Sequence, residues 1–298
     1  MDSIRISDIL DYLDGTGIEY EFFGKRETIV EGFSSLSNYK KNTFTWIKKQ
    51  DSIPEGCNTR GLALVITSYE VVEDFVNVIR TVESKRAFFS SIEHFYDNQN
   101  ERQAIGQHTY IGPNVELGSN VRIGHNCSLD GDIIVGDNTI IWNNVSIVNR
   151  VSIGNNCEIQ SGVVIGHDGY GYTEDENHAK TMVKHYGGVV IGNDVFVGSN
   201  VCIVRATIDD TIISDGSKID NLSHVAHNCY LGKNVAMAFP CALGGSSRIE
   251  DNGYIAGGLI RNQCVVHENG FVGMGAVVTS DVPADMVVVG VPAKPFNN

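Results

Sequence analysis

From Ile105 onward an aliphatic residue stands at every sixth position: Ile111, Leu117, Ile123, Leu129, Val135, Ile141, Ile147, Ile153, Ile159 and Ile165 follow without a slip. The register resumes at Ile191, Val197 and Ile203, shifts, and runs again from Ile213 through Ile219, Val225, Leu231, Met237, Leu243, Ile249 and Ile255. A last set comprises Ile260, Val266, Val272 and Val278. Two positions before each aliphatic residue sits a second, often smaller inward candidate, such as Val121, Cys127, Thr139, Val145 or Cys157. This period fits neither the 3.6 spacing of a helix nor one long alternating strand. It predicts a short strand and a turn, repeated, with each coil stacked in parallel on the last and an aliphatic ladder down the axis.

Residues 1–103 lack the period and read as a separate α/β domain. The stretch Ser7 to Leu13 predicts an amphipathic helix, Leu62 to Ile66 a buried strand, and Tyr69 to Val82 a second helix. The repeats span 104–284, broken at length once by an inserted loop over 166–188, and 285–298 form a C-terminal tail. Insertions in solenoids project from one face and often carry the binding site. This one concentrates His167, Asp168, Tyr170, Tyr172, Lys184, His185 and Tyr186.

Net charge −14 opposes nucleic-acid binding, because a phosphate backbone demands a basic face. No apolar run approaches the 18 to 20 or so residues of a membrane span and the N-terminus has no signal-peptide pattern, so a cytoplasmic protein without stable membrane insertion is expected. Seven cysteines without a C-x-x-C pair, most of them within the repeats, read as reduced packing residues.

The richest chemistry lies in Lys218 to Asn228. Val225 points inward, so His227 falls on the turn or outer face, where an adjacent subunit would meet it. Acyl transfer from a thioester to an amine requires a base for the amine proton and donors for the tetrahedral oxyanion, but no nucleophilic side chain. A histidine suits the first task.

The repeat resembles that of the hexapeptide-repeat acyltransferases, which implies a mostly β fold: a left-handed parallel β-helix preceded by a small α/β domain, assembled as a homotrimer with active sites between prisms. Lys218-Ile219-Asp220-Asn221-Leu222 followed by Ala226-His227-Asn228 is similar to the signature of the UDP-3-O-acylglucosamine N-acyltransferases of lipid A biosynthesis. By that resemblance His227 is the base, Asp220 orients or charge-stabilises its imidazole, and Asn221 contacts substrate or a neighbouring chain. Asp168-Gly169-Tyr170-Gly171-Tyr172 and Leu243-Gly244-Gly245-Ser246-Ser247 resemble two more segments of the family. They imply Gly245 as oxyanion donor and Asp168, Tyr170 and Tyr172 as substrate contacts; His185, among the hydrogen-bonding groups the insert concentrates, is a further candidate substrate contact. Phe44, Trp46 and Lys48 sit where the family has a uridine-binding segment.

The family's second histidine is replaced by the run after Gly257-Gly258, where Asn262 or Gln263 stands instead and His267 comes too late. The ending Gly290-Val291-Pro292-Ala293-Lys294-Pro295 resembles that of CoA-dependent hexapeptide acetyltransferases, which implies Gly257, Gly258, Asn262 and Lys294 along a cofactor channel. The expectation is an N-acyltransferase moving a short acyl group from acyl-CoA, without a metal, to a nucleotide-linked amino sugar for surface polysaccharide. The alternative is the acyl-carrier-protein-dependent lipid A reaction itself. A non-catalytic scaffold and a γ-type carbonic anhydrase are further readings. The latter would require His125, His224 and His227 to converge on zinc, and their spacing is wrong for it.

Overall fold

The computed structural model describes residues 3–49, 52–70, 75–97 and 104–296. Contacts divide the chain into two compact units, Met1–Glu101 and Arg102–Asn298.

In the first unit helix Ile6–Asp14 buries Ile6, Ile9, Leu10 and Leu13, the apolar face its spacing dictates. The Arg5 N–H donates to Asp8 Oδ2 at 2.8 Å at its N-terminus. A four-stranded sheet runs in the order Glu21–Phe23, Val78–Arg80, Leu64–Thr67, Phe44–Ile47, parallel except at its first pair. The helix expected over Tyr69 to Val82 is corrected here. Val78–Arg80 is a strand on the parallel edge of Leu64–Thr67, and residues 71–74 lie outside the described residues. β-branched Val78 and Ile79 fit that sheet better than a helix. The helix of this region comes later, at Ser84–Tyr96.

The second unit is a three-sided parallel β-helix whose faces are sheets of nine, eight and ten short strands. Every sixth aliphatic side chain of the sequence pattern from Ile123 to Val278 points into one continuous core and is almost fully buried. The smaller second positions close the corners. Thr139 Oγ1 donates to Gly154 O at 2.8 Å and accepts from Cys157 N, and Cys127 Sγ donates to Trp142 O at 2.9 Å. Corner asparagines at 120, 138 and 156 adopt left-handed φ of 56 to 58°, which Asn tolerates, and their amides hydrogen-bond in a ladder.

Equivalent turn residues are 18 apart where the period is perfect, as at Asp137 and Asn155. The step from Asn155 to Asn193 is 38 residues and from Asn193 to Asp215 is 22. Subtracting 18 leaves insertions of 20 and 4 residues. The long one carries an antiparallel hairpin, Tyr172–Glu174 against Lys180–Met182. The short one falls between strands Cys202–Ile203 and Asp210–Ile213 and is the register shift seen in the sequence. The tail stays on the prism. Val287–Val289 extends the ten-stranded sheet and Lys294–Pro295 returns antiparallel to it.

Candidate active site

His227 lies on the turn after strand His224–Val225, whose neighbours are Cys202–Ile203 and Ala242–Leu243. Its carbonyl accepts from Ser246 N at 2.8 Å, and Asn228 holds the left-handed conformation the corner requires (φ 60°). His227 Nδ1 lies 2.9 Å from Asn228 Oδ1. That oxygen also accepts from the Thr207 N–H at 3.3 Å and Thr207 Oγ1 at 3.1 Å. A backbone N–H only donates, so the amide atom is its oxygen and His227 carries its proton on Nδ1. Nε2 therefore offers a lone pair. It faces Gly245, where an added Cβ would come within 2.5 Å of both Nε2 and Cε1. Gly245 O accepts from Gln263 N at 3.0 Å, whereas the Gly245 N–H has no hydrogen-bond partner among the described residues. A proton acceptor and a free backbone donor thus stand side by side.

The start and the end of the long insert close over the same imidazole. Asp168 Oδ1 lies 2.6 Å from Nη2 and 2.7 Å from Nε of Arg205, a side chain nine-tenths buried in the prism corner. Asp168 Oδ2 accepts from the His185 N–H at 3.3 Å, so one carboxylate ties both limbs of the insert to Arg205. Partial burial works to raise the Asp168 carboxyl, but the Arg205 hydrogen bond and charge outweigh it and hold it below the usual carboxylate range. Gly169 follows, buried, with the position of an added Cβ only 3.0 Å from Cβ and Cδ2 of His227 and 3.1 Å from Nε2 of His185. The two histidine rings meet edge to face, with centroids 5.4 Å apart.

Several expected roles change. Asp220 does not reach His227 within the chain. It follows strand Lys218–Ile219 at another edge of the prism, where its oxygens accept from Asn221 N at 2.7 Å and Phe239 N at 3.1 Å. Asn228 orients the imidazole instead. Asp168 and His185 build the wall of the site, because Arg205 occupies the first and the second is fully buried. Phe44 is also fully buried, packed on Phe88 and Tyr96, so it has no face for a nucleotide base. Trp46 is half-buried and donates to Ser84 Oγ at 3.1 Å, while Lys48 is exposed. His125 accepts from Gln107 N far along the prism.

The remaining candidates from the sequence lie at several places on the prism. Tyr170 and Tyr172 are exposed, stacked edge to face at 5.6 Å. Asn262 is exposed one coil beyond Gly244, with its backbone N 2.5 Å from the point where a Gly244 Cβ would stand. Asn221, Gly257 and Gly258 belong to the Asp220 edge; Asn221 Oδ1 accepts from Ser199 N at 2.6 Å, and Gly257 takes φ +67° beneath Phe239. Lys294 is exposed on the returning strand. His224 points outward on the strand leading to His227, and desolvation, then the His227 charge, holds its imidazole below the ordinary value. Sequence reasoning missed Arg205, Thr207 and Thr211, which frame Asn228 and the insert; the register shift after Ile203 was their only signal.

The model of the bacterial transferase hexapeptide family, six repeats, matches residues 132–167. The chain carries this repeat and folds as a β-helix. The left-handed hand of its coil is that of the solved structures it resembles. UDP-N-acetylglucosamine acyltransferase of Francisella novicida superposes with a TM-score of 0.59 at 22% identity, covering 65% of this chain and 70% of that one. A Bacteroides fragilis UDP-N-acetylglucosamine acyltransferase gives 0.56 at 25% identity, covering 63% and 72%. In sequence, the UDP-3-O-acylglucosamine N-acyltransferase of Delftia acidovorans is 46% identical over 99 residues, 33% of this chain and 29% of that protein. That of Bordetella parapertussis is 34% identical over 125 residues, 41% and 34% respectively. The chain thus matches about a third or less of the length of these curated relatives.

Proposed function

We propose that this hexapeptide-repeat protein is an N-acyltransferase acting on the glucosamine amine of a UDP-linked, 3-O-acylated sugar. The observation that carries the reading is the lone pair on Nε2 of His227 beside Gly245, whose N–H has no hydrogen-bond partner among the described residues. The names of the similar proteins support the substrate class, and favour it over a short acyl group on another amino sugar.

In the proposed reaction the amine nitrogen attacks the thioester carbonyl carbon while His227 Nε2 takes the amine proton. The carbonyl electron pair moves to oxygen, and the Gly245 N–H donates to that oxyanion. Collapse forms the amide and expels the thiolate, which His227 reprotonates. Asn228 keeps Nδ1 as donor throughout, so the lone pair stays on Nε2.

The donor is a pantetheine thioester, the chemistry common to CoA and acyl carrier protein. Exposed Tyr170 and Tyr172 are proposed as contacts for the sugar, and Asn221 for substrate or a neighbouring chain; half-buried Trp46 and exposed Lys48 are proposed as nucleotide contacts of the first unit, and Gly257, Gly258, Asn262 and Lys294 as contacts for the donor arm. Sites shared between edges of neighbouring prisms would bring Asp220 and His227 together, as in the homotrimer expected from the sequence. The test offers UDP-3-O-acylglucosamine and UDP-glucosamine with acyl carrier and CoA thioesters of several chain lengths. Amide formation abolished by His227→Ala supports the reading, and O-acylation or turnover independent of His227 overturns it.

A further inference from the structure

His185 is the buried titratable group that the reaction above does not use. It is fully buried at the end of the long insert. Its Nδ1 lies 2.9 Å from Val183 O, and a carbonyl only accepts, so the proton is on Nδ1 and Nε2 is an acceptor. That Nε2 has no partner among the described residues. A buried acceptor left unpaired is costly, so simple packing would be served better by a phenyl ring. Nε2 of His185 and Cδ2 of His227 converge on one point, within 3.1 and 3.0 Å of where a Gly169 Cβ would stand. Glycine there lets the main chain close over both rings.

The titratable and charged groups around His227 are few. His224 lies on its own strand, Asp168 and His185 on the insert, and Arg205 beneath them; the Gly244-Gly245 turn contributes none. Asp168 and Arg205 neutralise each other. Besides the Asn228 amide on Nδ1, the edge of His185 is a fixed dipole beside the base, and among the described residues it has no hydrogen-bond partner of its own. With His227 neutral, that edge gains nothing. Once His227 holds the amine proton, a neighbouring ring 5.4 Å away between centroids that carries an unpaired acceptor is attractive, and the interaction exists only in the charged state.

We propose that His185 is a positioning residue for His227: held by Val183 O and sealed under Gly169, it fixes the plane of the base and steadies its imidazolium. This rests on the reading of His227 as general base. Its role runs through His227 and not through contact with substrate.

The test compares wild type with His185→Phe, which keeps a flat ring without an acceptor, and His185→Gln, which keeps a donor for Val183 O and an acceptor. The His227 ring signal is assigned by its loss in His227→Ala and compared by NMR among the variants in protein without substrate. In His185→Phe the signal is expected to broaden, because the plane of the ring is no longer fixed. The kcat should fall roughly 10-fold with KM for the sugar within about twofold, and Gln should restore most of both. Identical ring signal and kcat in wild type and Phe variant overturn the proposal. So does equal impairment of Phe and Gln variants with a lowered melting temperature, which marks a merely structural role. If wild type transfers no acyl group from any thioester, the acyltransferase reading fails separately, and the NMR comparison still decides whether His185 acts on His227.

Discussion

His227 donates its Nδ1 hydrogen to Asn228 Oδ1 at 2.9 Å, so an amide, not a carboxylate, sets the tautomer of the candidate base. The same oxygen accepts from Thr207, and Asn228 N donates to Thr211 Oγ1 at 3.1 Å. An amide orients an imidazole without adding charge, so proton affinity is left to the other neighbours.

Asn228→Gly isolates this effect. Glycine keeps the left-handed φ of 60° at no steric cost and removes only the side chain. We expect turnover to fall roughly 100-fold, at the lower end of the 10² to 10⁴ or so that general-base catalysis contributes, with little change in melting temperature. Asn228→Ala should be worse in stability as well, because it adds backbone strain. Steady-state kinetics with thermal melts would show whether turnover and stability separate in this way.

Gly245→Ala probes the opposite side of the ring. A Cβ there would stand 2.5 Å from Nε2 and Cε1 of His227, and the histidine ring must shift to admit it. Loss of roughly 10²-fold in kcat is expected, as for misplacing a base or an oxyanion donor, while the prism stays folded. A Gly245→Ala protein with wild-type turnover would remove this glycine from the site.

The β-helix was legible because each sixth position must be aliphatic to fill a coil, whatever the function. Candidates for the site stood out where residues departed from that rule, as at His227 and the insert. Asn228 was hidden in plain view, since corner asparagines such as Asn120, Asn138 and Asn156 hold the same conformation for purely structural reasons. The Asp168 to Arg205 pair joins positions 37 apart across both insertions, and no local pattern announces it. Phe44 misled because an aromatic residue in a strand reads the same whether it faces core or solvent.

Phe44 gives a prediction in the first unit. With its ring fully buried against Phe88 and Tyr96, Phe44→Ala should destabilise that unit by about 3 to 5 kcal/mol. Trp46→Ala, at a half-buried position, should cost less stability and instead weaken nucleotide-sugar binding if the proposed contact holds. Calorimetric melting with a UDP titration separates the two, and a Phe44→Ala protein of normal stability would contradict the packing.

The Asp168 clamp predicts an acid response with a definite sign. A carboxyl whose folded value is depressed stabilises the fold above its unfolded value and loses that contribution as pH falls through the folded one. The insert should therefore stay closed through neutral and mildly acidic pH and release only below about pH 4. Asp168→Asn should mimic release at pH 7, seen as faster proteolytic cleavage between residues 170 and 184. Arg205→Lys should do the same in part, because a lysine cannot reproduce the two-point contact. Equal cleavage rates in wild type and both variants would show that the clamp does not hold the insert.

The cysteines allow a check of the whole prism. All seven are free thiols, and burial pushes Cys127, Cys157, Cys202, Cys229 and Cys241 above the ordinary thiol value. Alkylation requires an accessible thiolate, so buried thiols with raised values are doubly protected. Iodoacetamide at about pH 8 should modify the half-buried Cys57 and Cys202 first, Cys202 the more slowly because its thiol value is raised. Cys127, Cys157, Cys229, Cys241 and Cys264 should react only after unfolding. The raised values also imply stability that is complete below the unfolded thiol value and declines as pH rises through the folded ones, because the unfolded chain then releases protons the fold retains. The prism should consequently melt at lower temperature above about pH 9 than at pH 7. Peptide mapping that finds the five buried thiols labelled at native rates equal to Cys57 would mean that the corners are open, and with them the framework that holds His227 against Gly245.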